Sequence, residues 1–268
     1  MEKFTDPEYL RSEQYKNNQN LTIRINLHAK YSTNTYGFHK WDFDHYEFPS
    51  NCKILEVGTG SGDLWFENKH RIPQINRLVI SDYSSGMLEG TKVRLQSILP
   101  INTEYKTIDA QNLPFADESF DIVIANHMLY HVPEVPKAIS EIHRILVKGG
   151  TLYANTNGKN HMIDLYNLME KFDPKNECNR IKSLSFSLEN GLELVKSFSS
   201  SKLLRYNDSL HVTDANDLLL YQLSLISNNR ELQTESSQKK LLVFFQEIID
   251  KKGYIKITKD AGMIIAKK

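Results

Sequence analysis

The chain is short of cysteine, of single-sign charge and of long apolar runs, and each shortage removes a class of protein. It has 2 cysteines in 268 residues, Cys52 and Cys178. They form no C-x-x-C pair, so a disulfide framework is not expected. The 9 histidines supply no zinc spacing either, and no metal is expected. Lys plus Arg equals Asp plus Glu at 33 each, so no global positive field recruits nucleic acid or an acidic membrane surface. No apolar stretch approaches the roughly 20 residues that a spanning helix requires. The first residues, Met1-Glu2-Lys3-Phe4, lack a secretory pattern. These absences predict a cytoplasmic protein, monomeric or homodimeric, with neither a nucleic-acid nor a membrane partner. What is present is an ordinary globular balance of 40% hydrophobic and 25% charged residues. A chain of this length buries roughly 75% of its unfolded surface.

The most informative stretch is Leu55-Glu56-Val57-Gly58-Thr59-Gly60-Ser61-Gly62-Asp63. A strand-like run, Lys53 to Val57, leads into glycine at every second position, and a helix is expected from Leu64. Glycine lets a chain turn sharply and lets a ligand lie against bare backbone. The helix start behind the turn offers unpaired N–H groups to polar ligand atoms. A dinucleotide fingerprint needs a third small residue where this chain has Asp63, and a phosphate loop needs Gly-Lys-Ser/Thr, which is absent. A second strand, Arg77 to Ser81, ends at Asp82, 24 residues after Gly58. A carboxylate at that tip is suited to both hydroxyls of a ribose. A third strand, Asn102 to Ile108, ends in Asp109-Ala110-Gln111, and a fourth, Ser119 to Asn126, runs into His127-Met128-Leu129-Tyr130-His131-Val132-Pro133. A helix over Pro136 to Leu146 and a strand over Thr151 to Thr156 follow.

The series E-x-G-x-G-x-G, then Asp82-Tyr83-Ser84-Ser85-Gly86-Met87-Leu88, then Asp109-Ala110 and the fourth-strand motif, resembles the class I S-adenosylmethionine-dependent methyltransferases of the small-molecule type over residues 50 to 158. The resemblance implies an α/β fold: a Rossmann-like doubly wound sheet, mostly parallel with an antiparallel C-terminal strand. It adds an N-terminal helical lid and helical insertions. It implies S-adenosyl-L-methionine as cofactor, held by Glu56, Gly58, Thr59, Gly60, Asp82, Tyr83, Met87, Asp109, Ala110, Gln111 and Asn126. Met87 would pack on the adenine face and Asp109 with Ala110 would hold its amino edge. His127, Tyr130 and His131 lie where the family keeps catalytic or acceptor-positioning groups. His127, directly behind Asn126, is the candidate base, since a histidine titrates near neutrality without special tuning. His131 is equally well read as a brace for its loop, and Glu56 as a salt-bridge or cap residue.

Three regions are expected within one domain: residues 1–48 as lid, 49–158 as the cofactor-binding core, and 159–268 as insertions and closing strands. Leu10 to His28 reads as helix, as do His161 to Phe172, Leu188 to Phe198, Asp214 to Leu225 and Ser236 to Lys252. Strands are expected over Lys202 to His211 and over Ile255 to Ala266, the latter broken near Asp260-Ala261-Gly262. The stretch Leu27 to Trp41 holds His28, His39 and four aromatic residues among polar ones. It is too polar for a core and too aromatic for a disordered tail. It resembles a lid, and Tyr31 and Tyr36 are its candidate cofactor or acceptor contacts, because aromatic faces favour a cation.

The acceptor is narrowed by exclusion. Asn126-His127-Met128-Leu129 is not the N/D-P-P-Y/F motif of enzymes that methylate exocyclic amines of bases or glutamine, and no Pro-Cys nucleophile occurs. A small organic acceptor, methylated at O, N or C, remains. Two other readings stay open: a catalytically silent cofactor-binding module, and an NAD-linked oxidoreductase, disfavoured by Asp63.

Overall fold

The computed structural model describes residues 5, 6, 8, 19–174, 184–225, 232 and 234–268. Cys178 and the part of the first expected helix before Gln19 lie outside them. Seven strands form one sheet: β1 (Cys52–Val57), β2 (Ile75–Asp82), β3 (Glu104–Thr107), β4 (Phe120–Asn126), β5 (Leu146–Asn157), β6 (Ser200–Val212) and β7 (Ile255–Lys267). Their order is β3-β2-β1-β4-β5-β7-β6. The first five run parallel, and β7 is antiparallel to both β5 and β6. The order turns back between β1 and β4, the switch at which open α/β sheets leave a crevice outside their strand ends.

Side chains alternate across a strand, and this alternation builds two cores. Leu55, Val57, Val123, Ala125, Leu152 and Ala154 point to one face, under α5 (Val135–Ile145), whose Ala138, Ile139 and Ile142 are buried there. Ile54, Ile122, Ile124 and Tyr153 point to the other. There they meet Phe43 of α2 (Phe38–His45), Trp65 of α3 (Asp63–Glu67) and Leu95 of α4 (Ser85–Leu95). The caps follow from sequence. Ser84 accepts from the Met87 N–H to open α4, and Pro136 occupies the first turn of α5, where its missing N–H costs nothing.

A third core lies beyond the sheet. β7 pairs with β5 only from Ala261 to Lys267, whereas it pairs with β6 along its whole length. Since β7 runs against the parallel strands, its first half overhangs their carboxyl ends. Leu210, Val212, Ile255 and Ile257 of this two-stranded ribbon pack with α1 (Gln19–Tyr31), α6 (Ile163–Phe172), α8 (Ala215–Leu223) and α9 (Glu235–Lys252). A wall therefore stands above the crevice. β7 is continuous rather than broken at Gly262: a Cβ there would collide with the Leu204 carbonyl oxygen of β6, so the glycine serves close strand approach.

The helix expected over Leu188 to Phe198 shrinks to α7 (Gly191–Leu194). Ser187 Oγ accepts from the Glu189 and Asn190 N–H groups, while Asn190 accepts from Ser187 N–H and donates to the Leu184 carbonyl. Local side-chain bonds of this kind compete with helix formation. Among the described residues no helix is long and apolar enough to cross a membrane.

Candidate active site

The glycine turn takes the conformations its sequence requires. Gly58, Gly60 and Gly62 have φ of 72°, 57° and 76°, a region most residues avoid. A Cβ on Gly58 would also lie 2.7 Å from Met128 Cβ. Asp63 is not the third small residue of a dinucleotide site. It opens α3 and binds Arg94 Nη1 of α4 at 2.6 Å.

The turn forms one side of a cavity of about 1200 Å³, above the roughly 300–1,000 Å³ of ordinary ligand pockets. It has room for a nucleoside and a second molecule. Glu56, Gly58, Thr59, Gly60, Asp82, Tyr83 and Met87 reach it from β1, β2 and their loops. Asp109, Ala110 and Gln111 reach it from behind β3, and Asn126, His127, Tyr130 and His131 from behind β4. Four separate loops converge, as the strand-end rule predicts.

Asp82 is held for work at this spot. Its Oδ2 accepts from the Gly60 N–H at 3.0 Å and its Oδ1 from the Ser84 N–H at 2.9 Å. Each oxygen keeps acceptor capacity. Burial raises its pKa, against the pull of those backbone donors. Asp109 accepts from the Gln111 backbone N–H at 2.9 Å, and the Gln111 Oε1 in turn accepts from the Glu134 N–H, which ties the β3 loop to the start of α5. Asn126 pairs with the Tyr46 hydroxyl, its Nδ2 lying 3.0 Å away.

Glu56 is 1% exposed and accepts from Trp65 Nε1–H at 2.8 Å. Burial pushes its pKa up to about 7, with Trp65 opposing. The fold thus disfavours its charge. Relative to an ordinary value of 4.5, the stability present below pH 4.5 is lost as the pH rises towards 7, by about 3 kcal/mol at most. Glu56→Gln is expected to melt roughly 5–10 °C above the wild type at pH 8 and level with it near pH 4.5. Scanning calorimetry at both pH values checks this, and equal gains at both would exclude the buried charge as the cause.

Two sequence expectations change. Tyr31 does not line the cavity: it is 6% exposed, sits in the third core, and donates its hydroxyl to Asp217 Oδ2 at 2.6 Å. Helical periodicity at the end of α1 turns it towards α8. Tyr36 does line the cavity and is half-exposed at its rim, donating to Asp44 Oδ2 at 2.6 Å. His127 lines the cavity, but burial lowers its pKa to about 3, which makes it a weaker base than an ordinary histidine. Its φ of 51°, costly outside glycine, is held by its N–H donating to the Asn155 carbonyl at 3.0 Å.

Other lining residues were not singled out from sequence. His28 of α1 stacks on His161 with centroids 6.0 Å apart, and burial lowers both to about 3. Tyr166, Tyr221 and Lys259 come from the third core and its ribbon. His39 of α2 lies beside Asp42, three residues on and therefore on the same helical face. H-x-x-D was the available signal.

Comparison with known proteins agrees with this geometry. Residues 55–154 match the family described as Methyltransferase domain. The ubiquinone/menaquinone biosynthesis C-methyltransferase UbiE of Haemophilus ducreyi is 32% identical over 101 residues, which is 37% of this chain and 39% of that protein. The chain thus matches about two fifths of the length of that relative. Among solved structures, a candidate methyltransferase of Bacillus halodurans superposes with a TM-score of 0.59 at 18% identity, covering 86% of this chain and 98% of that one. A Haemonchus contortus phosphoethanolamine N-methyltransferase, in complex with phosphomonomethylethanolamine and S-adenosylhomocysteine, gives 0.56 at 18% identity over 99% of this chain and 60% of that one. Motifs, sheet order and domain match coincide on one stretch of chain: residues 55–154 carry a methyltransferase domain whose motifs resemble those of the class I S-adenosylmethionine-dependent enzymes.

Proposed function

We propose that the protein transfers a methyl group from S-adenosylmethionine to a small organic acceptor. The observation that carries the reading is the convergence of the bare Gly58–Gly62 turn, Asp82, Asp109 and Asn126 on one cavity. The residues fit the cofactor. Positive-φ glycines leave backbone uncovered, and Asp82 presents spare lone pairs to a ribose. Met87 is buried and lines the same cavity. Glu67 and Asp82 line this end of the cavity, which suits a cationic donor. The cofactor, when bound, supplies an already activated methyl carbon. The chain's part is then to hold the acceptor in line and to exclude water. The ribbon-borne wall and α1 are placed for that: Leu21 of α1 comes to 3.6 Å of where a Gly60 side chain would begin.

A carbon acceptor is one route, favoured by the name of the relative that matches residues of the core. Oxygen or nitrogen acceptors remain as alternatives. The test is incubation with methyl-labelled S-adenosylmethionine and the small-molecule fraction of a cell extract. Label is expected in an extractable small compound. Retained binding of S-adenosylhomocysteine without any transfer would instead favour a silent binding module.

A further inference from the structure

We propose that His39, oriented by Asp42, is the general base of this site, and that its acceptor is an aromatic hydroxyl compound, a phenol or hydroquinone, whose proton His39 removes. The inference rests on the methyl-transfer reading above. His39 lines the cavity, and its Nδ1 faces Asp42 Oδ2 at 3.7 Å. That nitrogen is buried without a hydrogen-bond partner, whereas Nε2 is not so enclosed, which leaves Nε2 as the edge towards the cavity. Asp42 is wholly buried, and among the described residues no donor makes a hydrogen bond of good geometry to either of its oxygens. A carboxylate in that state is costly unless a cation neutralises it, so a neutral His39 beside it is favoured to take up a proton, and the imidazolium that forms pairs with Asp42. Burial raises the Asp42 pKa, and His39, then the buried Asn155, oppose it.

The other cavity histidines are differently placed. Three of them, His28, His127 and His161, have no carboxylate within ion-pair distance among the described residues and are kept neutral and weakly basic by burial. Burial works most strongly against a charge on His39, yet Asp42, then Glu67 and Asp63 of α3, together outweigh it and raise its pKa. Glu56 of β1 and His127 behind β4 are close enough to feel its charge as well. The base therefore lines the cavity near the tips of β1 and β4, at the switch point. Phe38, at 5.2 Å from the His127 ring, with Tyr130, Tyr166 and Tyr221, gives the pocket an aromatic lining. Flat rings stack on such walls.

The chemistry balances without another reagent. The acceptor O–H gives its proton to His39 Nε2, the phenolate's oxygen or ring carbon takes the methyl group, and the S–C bonding pair stays on sulfur. In the ring-carbon case the resulting dienone then loses its ring proton and regains one on oxygen, which restores the aromatic ring. His39 then returns its proton to solvent. A general base of this kind contributes about 10²–10⁴-fold.

Three measurements decide the matter. The first is binding of S-adenosylhomocysteine to the wild type, His39→Gln and Asp42→Asn. Loss in the wild type would sink the cofactor reading while leaving the His39 question open to the second measurement. That is NMR titration of the His39 ring, expected above 6.5 in the wild type and at least tenfold less basic in Asp42→Asn. An unmoved midpoint would refute the Asp42 role. The third uses 4-nitrophenol on the S-adenosylhomocysteine complex at pH 6. Bound probe is expected to show the visible absorption of its phenolate in the wild type, reduced at least tenfold in His39→Gln. Equal phenolate in both proteins, a bound neutral phenol or no binding of the probe would each overturn the proposal.

Discussion

Asp82→Ala is expected to lower affinity for S-adenosylhomocysteine by roughly 10²–10⁴-fold while leaving the sheet intact. A hydrogen bond to a charged group contributes about 1.5–3 kcal/mol, and a ribose offers two hydroxyls, so the loss is about 3–6 kcal/mol. Stability should change little. The variant forfeits two acceptors, those of the Gly60 and Ser84 N–H groups, but it also removes a carboxylate whose charge burial disfavours. Asp82→Asn keeps the size of the side chain and separates charge from shape. Titration calorimetry beside thermal melting checks both halves. Unchanged affinity in a folded Asp82→Ala would remove the ribose assignment.

Asp208→Ala is expected to destabilise the protein by about 3–5 kcal/mol and to loosen residues 32–36. Its side chain is wholly buried on β6 and meets Lys259 Nζ of β7, itself 9% exposed, at 2.5 Å. It also accepts from Ser32 Oγ at 2.5 Å, Thr33 Oγ1 at 3.2 Å and the Asn34 N–H at 3.0 Å. One carboxylate thus fastens the segment between α1 and α2 to the overhanging ribbon. Truncation would leave Lys259 buried and unpaired, and breaking a buried pair on one side costs about that amount. Burial opposes the charge on Asp208, yet Lys259 and Ser32 hold its pKa below the ordinary 3.8. The stabilisation is therefore complete above that pH and lost on acidification below it. Denaturant unfolding gives the energy, and amide exchange over residues 32–36 reports the segment. Full protection there in the variant would contradict the anchoring role.

The core of the fold was legible because its signals are local. Glycine at 58, 60 and 62, acids at the ends of β2 and β3 and the hydrophobic runs between them sit within 110 residues and each dictates its own backbone. The lid was legible as a region but not in its contacts. Tyr31 and His39 are both polar aromatics in one stretch, and only the packing of α1 on α8 and of α2 on α3 sends one away from the cavity and the other into it. His127 misled for a related reason: its ordinary titration near neutrality is undone by burial that no local pattern announces. The overhang of β6 and β7 depends on how far each strand outruns β5, and pairing at that distance leaves no mark in the spacing of residues. The truncated α7 had a readable signal in Ser187 and Asn190, whose side chains favour turns over helix.

The most direct measurement is titration calorimetry of the folded wild type with S-adenosylmethionine, S-adenosylhomocysteine and NAD in parallel. A glycine turn and strand-tip acids built for a charged methyl donor predict micromolar binding of the first two and none of the third. Failure of both adenosyl compounds to bind at millimolar concentration, or preference for NAD, would contradict that assignment.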